Sequence, residues 1–94
     1  MTEKPITIFG TWWCSDCSRV RRFFDRHHIL YEWIDIDQDG RGEEFVLSTN
    51  HGMRSVPTIV FVDGSILVEP TEAELQGKLG TFQEPTNNLP QFSG

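Results

Sequence analysis

Cys14 and Cys17 are the only cysteines in the 94-residue chain, and they stand three apart in Cys14-Ser15-Asp16-Cys17. Two thiols at that spacing can form and open a disulfide, or they can supply half of a metal site. A closed zinc site takes four ligands. His27, His28 and His51 are the only other soft donors, and the first two fall at the far end of the helix that the motif opens. The spacing of paired zinc ligands is therefore missing, and redox chemistry is the expectation.

The motif lies where a β-rich segment has ended and a helical pattern begins. A helix N-terminus presents unpaired backbone N–H groups and the positive end of the helix dipole. A thiolate on Cys14 is stabilised there, so its pKa is expected below that of a free thiol. A fall from about 8.5 to about 6 raises the thiolate fraction at pH 7 from roughly 3% to roughly 90%. Intrinsic nucleophilicity falls with basicity, so the net gain in attack is only about two- to threefold. The larger benefit is a good leaving group, which suits repeated formation and release of mixed disulfides. Asp16 opposes this effect on the thiol, yet it suits the first helical turn. Cys17 lies one turn further in. The expectation is that Cys14 attacks and Cys17, shielded, resolves.

The elements that must position this pair read as follows. Residues 5–9 (PITIF) alternate and form a strand. From Ser15, Cys17, Val20, Phe23, Phe24 and His27 make one apolar stripe of a helix ending near His28. Arg19, Arg22 and Arg26 lie opposite, with Arg21 and Asp25 on the flanks. Residues 31–36 (YEWIDI) form a second strand, and Asp39 caps a short helix with Phe45, Val46 and Thr49 inward, closed by Gly52. The continuous run Thr58 to Val62 reads as a strand buried on both faces, Asp63-Gly64 as a hairpin turn, and Ser65 to Val68 as the returning strand. Thr71 and Glu74 match a capping box for a last helix, with Leu75 and Leu79 inward and Gly80 ending it. The order β-α-β-α-β-β-α predicts one four-stranded mixed α/β sheet with helices on both faces, its first crossover parallel and right-handed. Residues 1–80 are expected to form the domain and residues 81–94, rich in Pro, Asn and Gln, a flexible tail.

Composition bounds the function. The net charge of −6 argues against nucleic-acid binding. The charge is uneven: residues 1–30 hold five Lys/Arg against three Asp/Glu, and residues 31–94 hold three against eleven. No apolar run reaches the roughly 20 residues of a membrane span. The N-terminal MTEKPITIFG lacks the basic-then-apolar order of a signal peptide, so the cytoplasm is the expected location.

Val56-Pro57 immediately precedes the third strand. By itself this proline reads as an ordinary strand start. Taken with Trp13-Cys14-Ser15-Asp16-Cys17, Arg54-Ser55-Val56-Pro57-Thr58 and Phe61-Val62-Asp63-Gly64, the sequence resembles the glutaredoxins over residues 5–80. The resemblance implies a thioredoxin/glutaredoxin-like fold with strand order 2-1-3-4, the last hairpin antiparallel, and three flanking helices. It implies a cis Pro57 beside Cys14, and a Val56 backbone that pairs with an extended peptide or thiol. It also implies a thiol–disulfide oxidoreductase with Cys14 as nucleophile and Cys17 as resolving thiol. Many glutathione-using members carry Lys or Arg where Thr11 stands, and a Gly-Gly-x-Asp run where Glu69-Pro70-Thr71-Glu72 stands. The chain is most similar to the mycoredoxin type, which works with mycothiol, although Ser15-Asp16 departs from the Gly-Tyr associated with that type.

The expected co-substrate is therefore mycothiol, with glutathione less favoured, and no tightly bound cofactor. The expected partners are oxidised or S-thiolated proteins, together with the thiol and its reductase, or thioredoxin reductase. The chain is expected to act as a monomer, without nucleic acid or membrane. Trp13 is a candidate apolar platform for a partner disulfide, while Trp12 or Trp13 can equally pack as a lid. Arg54 is a candidate contact for a substrate carboxylate or hydroxyl, and Thr71 a candidate contact through its helix N-terminus. Three alternatives stay open: a thioredoxin-reductase-coupled small redoxin, an iron–sulfur carrier sharing a cluster between two protomers, and a non-catalytic binding module.

Overall fold

In the computed structural model, which describes residues 5–83, seven elements follow one another. They are β1 (Ile6–Gly10), α1 (Ser15–Arg26), β2 (Tyr31–Asp35), α2 (Gly40–Thr49), β3 (Thr58–Val60), β4 (Ile66–Val68) and α3 (Glu72–Gln83). The sheet order is β2-β1-β3-β4. β1 pairs with β2 in parallel, Ile8 opposite Trp33, and antiparallel with β3, Ile8 opposite Ile59. The hairpin β3–β4 is antiparallel, with Ile59 opposite Leu67. This is the order that the resemblance implies.

Strand alternation sorts the core into two layers. Ile6, Ile8, Ile59 and Phe61 face α1 and α3, where they pack with Val20, Phe23, Phe24, Leu75 and Leu79. Phe9, Ile36 and Val46 form the smaller layer under α2, with Ile34, Phe45, Val56 and Val60 packed against it. Phe9 stacks on Phe45 at 4.7 Å. β1 is thus sandwiched, and its C-terminal end carries the chain directly into the Cys14 loop.

The caps follow the residue types. Asp39 Oδ1 accepts from the Gly42 amide at 2.9 Å and starts α2. Thr71 Oγ1 accepts from the Glu74 amide at 3.1 Å while Glu74 Oε1 accepts from the Thr71 amide at 2.8 Å. The reciprocal pair leaves neither orphan donor open.

Four details depart from the sequence reading. His27 is exposed: it is the C-cap of α1, where the chain leaves the helical path, and its ring lies 4.3 Å from Phe23. β3 ends at Val60, because the Phe61 amide already donates to Ser65 O and the Gly64 amide to Phe61 O as the turn begins. Val62 is accordingly exposed. Gly80 does not end α3; the helix runs through it to Gln83, so the backbone of residues 81–83 is helical rather than tail-like. A helix-interior glycine costs only about 1 kcal/mol, and packing of Leu75 and Leu79 offsets it. Residues 84–94 of the expected tail lie outside the described residues.

Candidate active site

Cys14 is the N-cap residue of α1, extended at φ −84° and ψ 123°. Its carbonyl accepts the first helical bond, from the Ser18 amide at 3.1 Å, but its side chain makes no capping hydrogen bond. The thiol is half-buried and points across to the loop before β3, where Cys14 Sγ lies 4.0 Å from the Val56 carbonyl oxygen. The Val56–Pro57 bond is cis, and Pro57 is buried.

That loop is held from behind. The fully buried Thr58 hydroxyl donates to Ser55 O at 2.8 Å and accepts from Asn50 Nδ2 at 3.2 Å. The Pro57 carbonyl accepts from the Glu69 amide at 2.8 Å. The segment facing the thiol is thereby tied to α2 and to the β4–α3 connection.

Cys17 is fully enclosed, one turn behind Cys14. Its thiol is pushed up to about 12, chiefly by burial and also by its hydrogen bond with Cys14, against the opposing pull of a backbone hydrogen bond from Thr11 and of the Arg21 charge. Gly10, at the end of β1, makes room for it. A Cβ there would sit 2.6 Å from Cys17 Sγ and 2.8 Å from the Trp33 ring. No distance that short occurs in packed structures, so only glycine lets strand, thiol and indole meet.

The two tryptophans of the loop separate in role. Trp12 lies against Trp33 at 4.9 Å, and the Arg21 guanidinium sits over both rings, at 4.6 and 4.7 Å from their centroids. This cation–π stack packs the loop down on α1 and β2. Trp13 is 71% exposed, and its indole N–H donates to Asp37 Oδ2 at 2.8 Å. Arg54 lies in the same network. Its Nη2 donates to Asp37 Oδ1, and its Nε donates to Glu43 Oε2 at 2.8 Å. The Arg54 and Trp13 hydrogen bonds hold the Asp37 carboxyl below the usual carboxylate range.

On the other side of the motif, Asp16 lies 3.8 Å from Arg19, and Arg19 donates to the Pro70 carbonyl at 3.0 Å. Arg19 is thus half-buried between α1 and the start of α3 rather than on a solvated face.

Of the residues singled out from sequence, Cys14, Cys17, Val56 and Pro57 come together at one place. Trp13 is on its rim. Arg54 is also on the rim but engaged by two carboxylates. Thr71 heads α3 with its hydroxyl engaged by Glu74. Asp37, Glu43, Gly10 and Arg21 escaped sequence reasoning. Asp37 and Glu43 stand 17 and 11 residues from Arg54, and no local spacing links them. Among the described residues, no group of three or more His, Cys, Asp or Glu is placed to hold a metal. None of the described helices is long and apolar enough to cross a membrane.

The chain is similar to known proteins in sequence and in fold. The glutaredoxin family model matches residues 6–67. A glutaredoxin-named protein of Mycobacterium tuberculosis is 39% identical over 79 residues, which are 84% of this chain and 94% of the relative. Mycoredoxin 1 of Corynebacterium glutamicum is 38% identical over 74 residues, 79% of this chain and 91% of the relative. The buckwheat glutaredoxin–glutathione complex superposes with TM-score 0.64 at 30% identity, covering 82% of this chain and 74% of that one. The thioredoxin-like protein BC3987 gives TM-score 0.67 at 25% identity, covering 77% and 96%. Both cysteines, the cis-proline loop and the strand order being in place, the chain belongs to the glutaredoxin family of thiol–disulfide oxidoreductases.

Proposed function

We propose that this protein reduces mixed disulfides between proteins and a small thiol, with mycothiol as its co-substrate, glutathione being the poorer one. One observation carries the reading: a half-buried Cys14 thiol at an otherwise uncapped helix N-terminus faces the Val56 carbonyl beside cis Pro57, with Cys17 sealed one turn behind.

The division of labour follows from exposure. Cys17 remains a thiol at neutral pH because its thiolate cannot be solvated. Cys14 is the sulfur that a substrate can reach. Its thiolate attacks the small-thiol sulfur of a protein–S–S–R disulfide. A Cys14–S–S–R bond forms, the old S–S bond breaks, and the target leaves as a thiolate that takes a proton from water. A second thiol, as thiolate, then attacks the R sulfur, releasing R–S–S–R and regenerating Cys14. An NADPH-dependent reductase returns R–S–S–R to two thiols. If Cys14 is instead joined to a protein sulfur, Cys17 attacks Cys14, losing its proton as the bond forms. The target leaves, and the Cys14–Cys17 disulfide is reduced by two small thiols.

The Val56 backbone is suited to pair with an extended substrate, and the exposed Trp13 ring offers it an apolar surface. Thr71 contributes through the N-terminus of α3 rather than its hydroxyl, which caps the helix. The protein acts as a monomer in the reducing cytoplasm on this reading.

A coupled assay tests it. The oxidised protein is offered NADPH with mycothiol and its disulfide reductase, with glutathione and its reductase, or with thioredoxin reductase alone. Turnover is expected with mycothiol and weakly with glutathione. Turnover with thioredoxin reductase alone would move the protein to the small-redoxin branch.

A further inference from the structure

The Trp13–Asp37–Arg54–Glu43 network has a consequence for which small thiol the site accepts. Arg54 stands two residues ahead of Val56, whose carbonyl faces Cys14. A guanidinium at such a rim is the natural receptor for a substrate carboxylate, because its planar fork takes one bidentately. Here one edge of the fork is engaged from within: Nη2 donates to Asp37 and Nε to Glu43. Asp37 is also the acceptor for the Trp13 indole, so the pair of carboxylates is anchored to the residue next to Cys14. One cation and two anions leave this side of the site with a charge of about −1. On the opposite side, Arg19 is matched by Asp16 and donates to the Pro70 carbonyl. Arg54 and Arg19 are therefore both already held by protein oxygens.

We propose that Asp37 and Glu43 form a charge filter: by occupying Arg54 they make the site prefer an uncharged thiol to one bearing carboxylates. The inference rests on the thiol-coupled reading above and narrows it. Mycothiol, a hydroxyl-rich thiol without ionised groups, passes the filter. Glutathione carries two carboxylates and one ammonium and meets an excess of negative charge beside a guanidinium already engaged along one edge.

The test compares glutathione with its diethyl ester, which keeps the ammonium and has no carboxylate. Each thiol reduces the pre-formed Cys14–Cys17 disulfide, two thiols giving one oxidised thiol and the dithiol protein, and tryptophan fluorescence follows the rate. The proteins are the unsubstituted chain, Asp37→Asn, Glu43→Gln and the double variant. Asn at 37 keeps an oxygen for the Trp13 indole. The ester-to-glutathione rate ratio, not either rate alone, is the readout, because a purely structural role of the network changes both rates together. The ratio is expected to fall about tenfold from the unsubstituted chain to the double variant at low ionic strength. The difference should shrink in 1 M salt, where the Debye length is about 3 Å. Glu44→Gln, on the same helix but outside the network, should leave the ratio where it is. A ratio unchanged in the double variant would overturn the filter while leaving thiol coupling intact. No reduction of the unsubstituted chain by either of these thiols or by mycothiol would overturn the thiol-coupled reading and the filter with it.

Discussion

The N-termini of α1 and α3 are built in opposite ways. At α3, Thr71 and Glu74 exchange two hydrogen bonds and cap the end with side chains. At α1 the N-cap is Cys14, whose side chain makes no capping bond. A good N-cap is worth about 1 kcal/mol. The first turn of α1 goes without that stabilisation, and the positive end of its dipole lies beside the sulfur proposed to react. α2, away from the thiol, is capped by Asp39 in the ordinary way. The difference shows where the fold is optimised for stability and where for chemistry.

The largest break in this comparison is Cys14→Ser. It should abolish mixed-disulfide reduction, a loss on the order of 10³-fold or more. The same substitution gives α1 an N-cap oxygen, so thermal unfolding should move upward, by roughly 0.5–1 kcal/mol. Calorimetry beside the activity assay checks both. A drop in stability would mean that the cysteine, not the open cap, is the better structural choice.

Within the Cys14→Ser protein, Cys17 sharpens the contrast between the two sulfurs. Native Cys17 should react with iodoacetamide at pH 8 about 10²- to 10³-fold more slowly than in urea, because burial keeps it a thiol. The linked effect on stability has a definite sign. The folded wild-type chain holds the Cys17 proton more tightly than the unfolded chain. That contribution is fully present below about pH 9 and is lost as pH rises toward about 12. Urea midpoints should therefore fall on the alkaline side.

Gly10→Ala forces a methyl against Cys17 Sγ and the Trp33 ring. Overpacking of this kind costs about 1–3 kcal/mol. Denaturant unfolding should show it, together with slower release of protein mixed disulfides by Cys17. The smallest effect is at the ordinary cap: Asp39→Ala should cost about 1 kcal/mol and leave disulfide reduction unchanged. A comparable loss of activity in Asp39→Ala would blur the distinction between the helix ends.

Much of this arrangement is legible in the sequence, and the reason is locality. The stripe Val20, Phe23 and Phe24, the Asp39 cap, the Thr71–Glu74 box and the Cys14–Cys17 pair each lie within a few turns of chain. They follow from helix periodicity and cap chemistry. The strand order and the cis Pro57 came through the resemblance, not from spacing. What escaped is long-range or terminal. The Arg54 network joins the Cys14 loop, the β2–α2 loop, α2 and the cis-proline loop, so Asp37 and Glu43 read locally as solvated charges. Arg21 looked like a flank residue because its two aromatic partners come from a loop and from β2. His27 fits the helical stripe but falls on the cap, where the stripe no longer faces the core. Gly80 looks like a stop, yet nothing at that position requires a left-handed backbone, and the helix continues.

The central claim is that Cys14 takes the small thiol from a protein mixed disulfide and Cys17 is dispensable for that step. The most direct measurement is intact-mass and peptide mapping of Cys17→Ser after mixing with a peptide–mycothiol mixed disulfide. The account predicts one mycothiol per chain, on Cys14, with the free peptide thiol released in equal amount. Capture of the peptide on Cys14 in place of mycothiol, or no adduct at all, would contradict it.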